Sequence, residues 1–236
     1  MSQGLATYFE KTDSHSRMSD MNVNELKNLV RQGEGSSLEF KLKASHPEKI
    51  IREIVAFANS KGGKLLLGVG DDKTIPGLKF VDEEEYILVR AIKQNCYPPI
   101  NYELERIAIT DERDVLVFTI HKSKEKPHFV HLENEEHRKA YVRVKDRSVQ
   151  ASREVKQILR RENEDGIKFT YGEKEKILMT YLSENQKITI EKFAEIAKIH
   201  PRSASHTLVL LVLSNVLKIQ PDEVMDCYYL AENSGI

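Results

Sequence analysis

The sequence predicts a two-domain α+β protein, and three observations support this prediction. A strand–helix–strand pattern occupies residues 33–77, whereas a helical pattern that closes with a hairpin follows residue 169. The chain of 236 residues has the length of one large or two modest domains. Apolar residues make up 40% and charged residues 31%, so a buried core and a solvated surface can both form.

The first strand and the helix after it follow from the order of residue types. Residues 38–43 read Leu-Glu-Phe-Lys-Leu-Lys, an alternation that predicts a half-buried strand with its charges on the outer face. Ser45 and Glu48 have the spacing of a capping box, and Pro47 falls in the first helical turn. The helix is expected to end near Asn59, because its apolar residues keep helical spacing up to that point.

The apolar run 65–69 predicts a second strand, covered on both faces, which leads into a loop at Asp71. A unit of this size places its two strands in one sheet, through a right-handed crossover if they are parallel. The carboxylates of Glu34, Glu39 and Asp71 are then expected to lie close together. Hard oxygen ligands of this kind are the ones that Mg²⁺ or Mn²⁺ requires.

Capping patterns, alternation and proline positions predict the remaining elements up to residue 163. In order, they are a helix over 25–31 capped by Asn24, a helix that starts with a capping box at Asp82 and Glu85 and runs to about Asn95, a hairpin of 101–109 and 114–120, a surface loop over 122–134, a last strand over 140–144, and a basic helix that begins at Ser152.

Three motifs in this region resemble the Schlafen-type, Alba-like nucleic-acid-binding domain, which older naming called a divergent AAA domain. They are E-x-x-x-x-E-F-K from Glu34, A-F-A-N-S-K-G-G from Ala56, and L-L-L-G-V-G-D-D-x-x-x-x-G from Leu65. Gly70 departs from the pattern, since many members have a further aspartate there. The likeness covers roughly residues 20–160 and continues more weakly at three sites, Pro98-Pro99, Lys126-Pro127-His128 and Tyr141-Val142-Arg143.

The resemblance implies nucleic-acid binding, with DNA favoured over RNA, and the favoured function is that of a DNA-binding transcriptional regulator. The residues expected to hold phosphates in the first domain are Lys41, Arg143, Lys145 and Arg147. Arg143 and Arg147 fall where the family has its Y-V-R and R-x-S patterns. The formal net charge is −1, so binding must depend on a local patch, which the cations of residues 138–161 are expected to form.

The resemblance also implies a rival function, a metal-dependent endoribonuclease that acts on structured RNA. In the ribonucleases of this group three acidic residues form the catalytic site, and Glu34, Glu39 and Asp71 match them, with Asp72 as an alternate. The cofactor is then Mg²⁺ or Mn²⁺, and no other cofactor is expected. In a purely structural interpretation Glu39 instead pairs with Lys41 or Lys43, and Asp71-Asp72 only forms a turn.

The pattern after residue 169 is the outline of a winged helix. It consists of three helices and two strands, over residues 173–182, 189–198, 202–213, 216–219 and 227–231. Arg202 and Ser203, at the start of the third helix, are expected to contact DNA. The almost wholly apolar remainder of that helix packs either in its own core or against a partner, so a homodimer is expected. A protein-interaction module is therefore a third possible function.

The predicted domains are a flexible N-terminal arm over 1–19, a nucleic-acid-binding domain over 20–163 and a winged-helix-like domain over 167–236. Two cysteines far apart in the sequence predict a reducing, cytoplasmic setting. No apolar run approaches membrane-spanning length, so no membrane partner is expected. Gly63 and Gly68 have the spacing of a P-loop, but the required Lys-Ser/Thr pair is missing, which argues against ATP binding.

Overall fold

The computed structural model describes residues 17–133, 136–164, 167 and 169–231. The chain divides into two compact units between Ser148 and Val149. The predicted arm lies outside the described residues up to residue 16, and so does part of the predicted linker at 163–166. The domain boundaries expected from the sequence stay a prediction.

A five-stranded mixed sheet forms the centre of the first unit, as the α+β prediction requires. Its strands in spatial order are β1 (Arg17–Met18), β5 (Tyr102–Thr110), β6 (Arg113–Ile120), β3 (Gly63–Leu67) and β2 (Leu38–Lys41). Strands β2 and β3 are parallel, with Phe40 opposite Leu66, whereas β6 is antiparallel to both β3 and β5. The parallel pair confirms the predicted strand–helix–strand unit.

Helices cover both faces of this sheet because β3 is apolar on both sides. On one face, helices α2 (Pro47–Asn59) and α3 (Val81–Asn95) pack with Leu65 and Leu67 in one apolar cluster. On the opposite face, helix α1 (Val23–Gln32) packs with Leu66 in a second cluster. The alternation of side chains along a strand accounts for this division.

The first helix has a different cap from the one expected. Asn24 is not the capping residue, because the helix begins at Val23, two residues earlier than predicted. The side chain of Asn22 accepts hydrogen bonds from the backbone N–H groups of Asn24 and Glu25, and the Glu25 carboxylate accepts from the N–H of Asn22. This is a complete capping box, and it satisfies N–H groups that a helix start leaves without partners.

Both helices on the other face lack the capping boxes that the sequence suggested. His46 stands at the N-cap of α2 and Phe80 at the N-cap of α3, and neither side chain caps its helix. The acidic side chains at the start of α3 have other partners. Glu84 accepts a hydrogen bond of 2.6 Å from the N–H of Ala44, and Glu85 is paired with Arg106. The sequence spacing of a capping box does not show that a distant residue will bind the capping side chain instead.

Two short strand pairs outside the central sheet differ from the sequence prediction. The expected loop 122–134 contains β7 (Phe129–Val130), which pairs antiparallel with β4 (Cys96–Tyr97). The expected last strand is β8 (Tyr141–Val144), and it forms a small sheet with β9 (Arg147–Gln150). Strands of two to four residues are too short to produce a recognisable alternation.

The second unit has the helices and the hairpin of a winged-helix-like region. Its elements are α4 (Arg153–Arg161), α5 (Glu173–Glu184), α6 (Ile190–Ile196), α7 (Pro201–Leu213), β10 (Leu217–Gln220) and β11 (Cys227–Leu230). Ser152 caps α4 as expected, by accepting from the N–H of Val155 at 3.1 Å. The two strands are antiparallel, with Ile219 opposite Tyr228. None of the helices in the described ranges is long and apolar enough to cross a membrane.

A buried polar bridge fastens the end of α2 to β7 and β8. The side-chain N–H₂ group of Asn59 donates to the carbonyls of His128 and Tyr141, both at 2.9 Å. Its oxygen accepts from the N–H of His128 at 2.7 Å. Asn59 and His128 are each about 1% exposed, so His128 lies in the interior of the protein.

The imidazole of His128 is held in its neutral form. Nδ1 lies 2.8 Å from the carbonyl oxygen of Pro98, which can only accept, so Nδ1 carries the proton. The buried Nε2 has no hydrogen-bond partner among the described residues. Burial lowers the pKa of His128, because an imidazolium ion at this position loses its hydration.

This lowered pKa predicts a pH-dependent stability. The stability that neutral His128 contributes is fully present above the unfolded pKa of about 6.5 and is lost as the pH falls through the lower folded pKa. We expect the free energy of unfolding, measured in urea, to fall more steeply below pH ~6.5 in the wild type than in His128→Asn, which retains a donor near Pro98. Exposed His131→Asn is the control, and equal slopes in all three proteins would contradict this role.

Candidate nucleic-acid interface

The second glutamate of the family motif lies in a buried charge cluster, formed by Glu39, Lys41, Glu53, Arg143 and Ser148. Glu39 was expected on a solvated strand face, yet it is only 6% exposed. It lies there because helix α2, which carries Glu53, and strand β8, which carries Arg143, supply side chains to this side of β2. Two carboxylates face two cations, so the charges of the cluster balance.

Arg143 is the centre of this cluster, and its side chain is 1% exposed. One terminal nitrogen donates to Glu39 Oε2 at 2.7 Å and to the carbonyl of Gly35 at 2.9 Å. The other donates to Glu53 and, at 3.1 Å, to Ser148 Oγ. The guanidinium carbon also lies 4.8 Å from the centre of the Phe57 ring. The expected phosphate-holding residue is therefore placed beneath the surface, with its donors bound by the protein.

The remaining contacts of the cluster involve Lys41 and Glu53. The Lys41 ammonium donates to Glu39 Oε1 and, at 2.8 Å, to the carbonyl of Phe40. This is the ion pair that the structural interpretation of the sequence anticipated. Burial raises the pKa of Glu53, while the hydrogen bond from Ser148 and the charge of Arg143 act in the opposite direction.

The other two acidic residues of the motif, Glu34 and Asp71, differ in their contacts. Glu34 Oε1 accepts from the N–H of Phe40 at 2.9 Å. Burial raises the pKa of Glu34, and the carboxylates of Glu39 and Asp71 add to the rise, so the three groups do influence one another. Asp71 is exposed at the end of the loop after β3.

Asp72, the alternate third acid, is used by the loop itself. Its carboxylate accepts from Thr74 N at 3.0 Å and Thr74 Oγ1 at 2.6 Å, and these bonds lower the pKa of Asp72. A Cβ atom at residue 70 would lie 2.5 Å from Asp72 Oδ1. Gly70, the departure from the family pattern, is therefore the residue that leaves room for this turn.

The acidic residues do not fit a metal site as they are arranged. Both oxygens of Glu39 are already bound by cationic side chains, Lys41 on one and Arg143 on the other. Across the described ranges, no group of three His, Cys, Asp or Glu side chains is placed to hold a metal ion. The Mg²⁺ or Mn²⁺ ligand set expected from the sequence, Glu34, Glu39 and Asp71, stays a prediction.

A basic cleft of about 570 Å³ lies beside the charge cluster, between the end of β2, the start of α2 and the loop after β3. Four cationic residues line it: Lys41, Lys43, Lys49 and Arg113. Asp71 contributes a carboxylate to the lining of the cleft. Arg113 is held in place because it donates to the backbone carbonyls of Gly77 at 3.2 Å and Pro76 at 3.4 Å.

Three of these cations were missed in the sequence, for identifiable reasons. Lys43 and Lys49 flank the start of α2, so a search for basic residues around that helix start could have found them. Arg113 had no local signal, because the antiparallel pairing of β3 with β6 brings it to the cleft from far along the chain. His46 also lines the cleft, at the N-cap of a helix that has no side-chain cap.

The other predicted phosphate contacts are exposed. Lys145 lies in the turn between β8 and β9, with a positive φ of 57°, and Arg147 begins β9. In the second unit, Arg202 and Ser203 occupy the exposed first turn of α7. The apolar remainder of that helix, including Leu208 and Leu211, packs in the core of its own unit.

Loss of Arg143 is expected to destabilise the first unit. Arg143→Met keeps the bulk of the side chain but leaves Glu39 and Glu53 buried with only Lys41 as counter-charge. Breaking a buried pair in this way costs about 3–5 kcal/mol, which urea unfolding can measure. Exposed Arg90→Met is the matched control and should stay within about 0.5 kcal/mol of the wild type. A cost below about 1 kcal/mol for Arg143→Met would show that the cluster is not structural.

Residues 34–152 match the family described as Schlafen, AlbA_2. The N-terminal domain of a RecG-related protein from Nitrosomonas europaea is 18% identical, with 52% of this chain and 89% of that chain covered and a TM-score of 0.38. The DIP2311 protein from Corynebacterium diphtheriae is 18% identical over 56% of this chain and only 24% of its own length, with a TM-score of 0.36. No curated protein matches the chain.

The matched residues include the strand–helix–strand unit, the charge cluster and every residue that lines the basic cleft. They amount to half of the 236 residues. The chain therefore belongs to the Schlafen, AlbA_2 family.

Proposed function

We propose that this protein is a DNA-binding transcriptional regulator that holds nucleic-acid phosphates at the basic cleft. The observation that supports this most directly is the lining of the cleft, in which four cationic residues face one carboxylate. Phosphate oxygens are bound in proteins by such side chains and by the N–H groups at helix starts. The local excess of positive charge matters because the whole chain carries a net charge of −1.

The availability of Lys43 and Lys49 strengthens this assignment. Both are exposed, and within the described part of the chain neither forms an ion pair with a carboxylate. Lys41, in contrast, is held by Glu39, and Arg143 is buried. The cations of the family motif thus stabilise the fold, whereas cations around the start of α2 are free to meet a ligand.

The second unit supplies a further contact in this proposal. In winged-helix-like and related regulators the third helix enters the major groove with its first residues towards the bases. Arg202 and Ser203 are exposed at the corresponding end of α7. Leu208 and Leu211 of α7 pack in the core of their own unit, and the homodimer expected from the sequence stays a prediction. Light scattering of the purified protein measures its oligomeric state directly.

The rival function predicts a different outcome in one experiment. Labelled tRNA, rRNA and duplex DNA are incubated with the protein, with and without Mn²⁺. A regulator retards duplex DNA and leaves every strand intact. Cleavage of tRNA that stops on addition of EDTA would overturn the proposal in favour of the nuclease.

Charge reversal in the cleft provides the quantitative test. Lys43→Glu/Lys49→Glu is expected to weaken duplex binding and to reduce the slope of log K against log salt by about 2, because each lysine releases about one counterion. The control is Lys27→Glu/Lys93→Glu, which makes the same charge change on exposed residues of α1 and α3 that do not line the cleft. Fluorescence anisotropy over a salt series measures the duplex affinity and its salt slope for each variant. Identical slopes for the two double variants would contradict the assignment.

A further inference from the structure

The basic cleft has room for more than a phosphate group. Contacts to a duplex backbone need cations on an open surface, whereas this cleft has a volume of about 570 Å³. Pockets of roughly 300–1,000 Å³ are the size that encloses small organic ligands. The volume of the cleft therefore leaves room for a group larger than a phosphate.

Part of the lining is apolar and open to solvent. Leu42 follows β2 and was expected to be buried by the alternation of that strand, yet it is 54% exposed and lines the cleft. Ile50 and Pro76 also line it. Apolar surface next to several lysines is where the face of a nucleobase can pack while the attached phosphate meets the charges.

Asp71 is the group in the cleft that can read a base. Its carboxylate makes no hydrogen bond to another described residue, and it can only accept. It repels a phosphate, but it suits an exocyclic amino group, as when a carboxylate accepts from N4 of cytosine. Thymine and uracil have no amino group and offer Asp71 no such donor.

From these three features we propose that the cleft takes one unpaired nucleotide unit, with its base against Leu42, its amino group on Asp71 and its phosphate on Lys43 and Lys49. This inference rests on the proposed nucleic-acid binding at the cleft and specifies its substrate. A base paired in a duplex cannot enter, because its amino group is engaged in pairing and its faces are stacked. Single strands rich in cytosine, adenine or guanine, whose bases all carry an exocyclic amino group, are therefore favoured over strands of thymine or uracil.

Anisotropy titrations with the full chain test this assignment. We expect oligo(dC) to bind roughly tenfold more tightly than oligo(dT), since a well-placed base contact discriminates by about that much. Asp71→Asn should remove this preference, because an amide can donate to thymine O4 as well as accept. Leu42→Ala should weaken oligo(dC) binding several-fold, and the surface position of Leu42 makes the change tolerable for the fold.

The outcomes separate the two proposals. Duplex binding that is sensitive to Lys43→Glu/Lys49→Glu, with equal affinities for oligo(dC) and oligo(dT) in the wild type, would overturn the nucleotide cleft and leave nucleic-acid binding standing. Absence of binding to any strand would overturn both. Competition with free CMP identifies the source of the nucleotide. Displacement of the labelled strand by CMP shows that a free nucleotide can enter, whereas displacement by longer strands alone shows that the nucleotide must be part of a polymer.

Discussion

The buried guanidinium of Arg143 is the interaction on which the first unit depends. It joins the carboxylate of Glu39 on β2, the carboxylate of Glu53 on α2 and the backbone of Gly35, from its own position on β8. Removing charges from water is costly, and only a network that satisfies each donor and acceptor offsets this cost. Lys41 and Ser148 complete the network. The cluster therefore fixes how β2, α2 and β8, which are far apart in the sequence, pack together.

The same network separates structural charges from functional ones. Glu39, Lys41 and Arg143 of the family motif are bound to one another, and the exposed Lys43 and Lys49 lie near them around the start of α2. A strand end, a helix start and a loop converge there, as ligand sites in open α/β sheets often do outside the ends of parallel strands. The charge cluster holds β2 and α2 together, and it borders the cleft through Lys41.

Much of the fold was predictable from the sequence, and little of the site was. The apolar run of β3 and the helical spacing of α2 can be recognised in the sequence. The parallel pairing of β2 with β3 agrees with the helical connection between them. Burial of Glu39 was not predictable, because alternation assigns a face and cannot show that β8 covers it. The cap of α1 was misplaced because Asn22 and Asn24 both suit that role, and Arg113 reaches the cleft through a strand pairing that no local pattern encodes.

The inaccessibility of Arg143 and Glu39 has a consequence for how relatives are interpreted. A chain that keeps these residues keeps the scaffold, whatever reaction or ligand it has acquired or lost. A match to the family motif at these two positions therefore indicates the fold and does not indicate the activity. Differences in activity between relatives should instead be sought at positions 42, 43, 49, 71 and 113, because an exchange at the cleft alters the contacts offered to a ligand and leaves the buried Arg143–Glu39 pair intact.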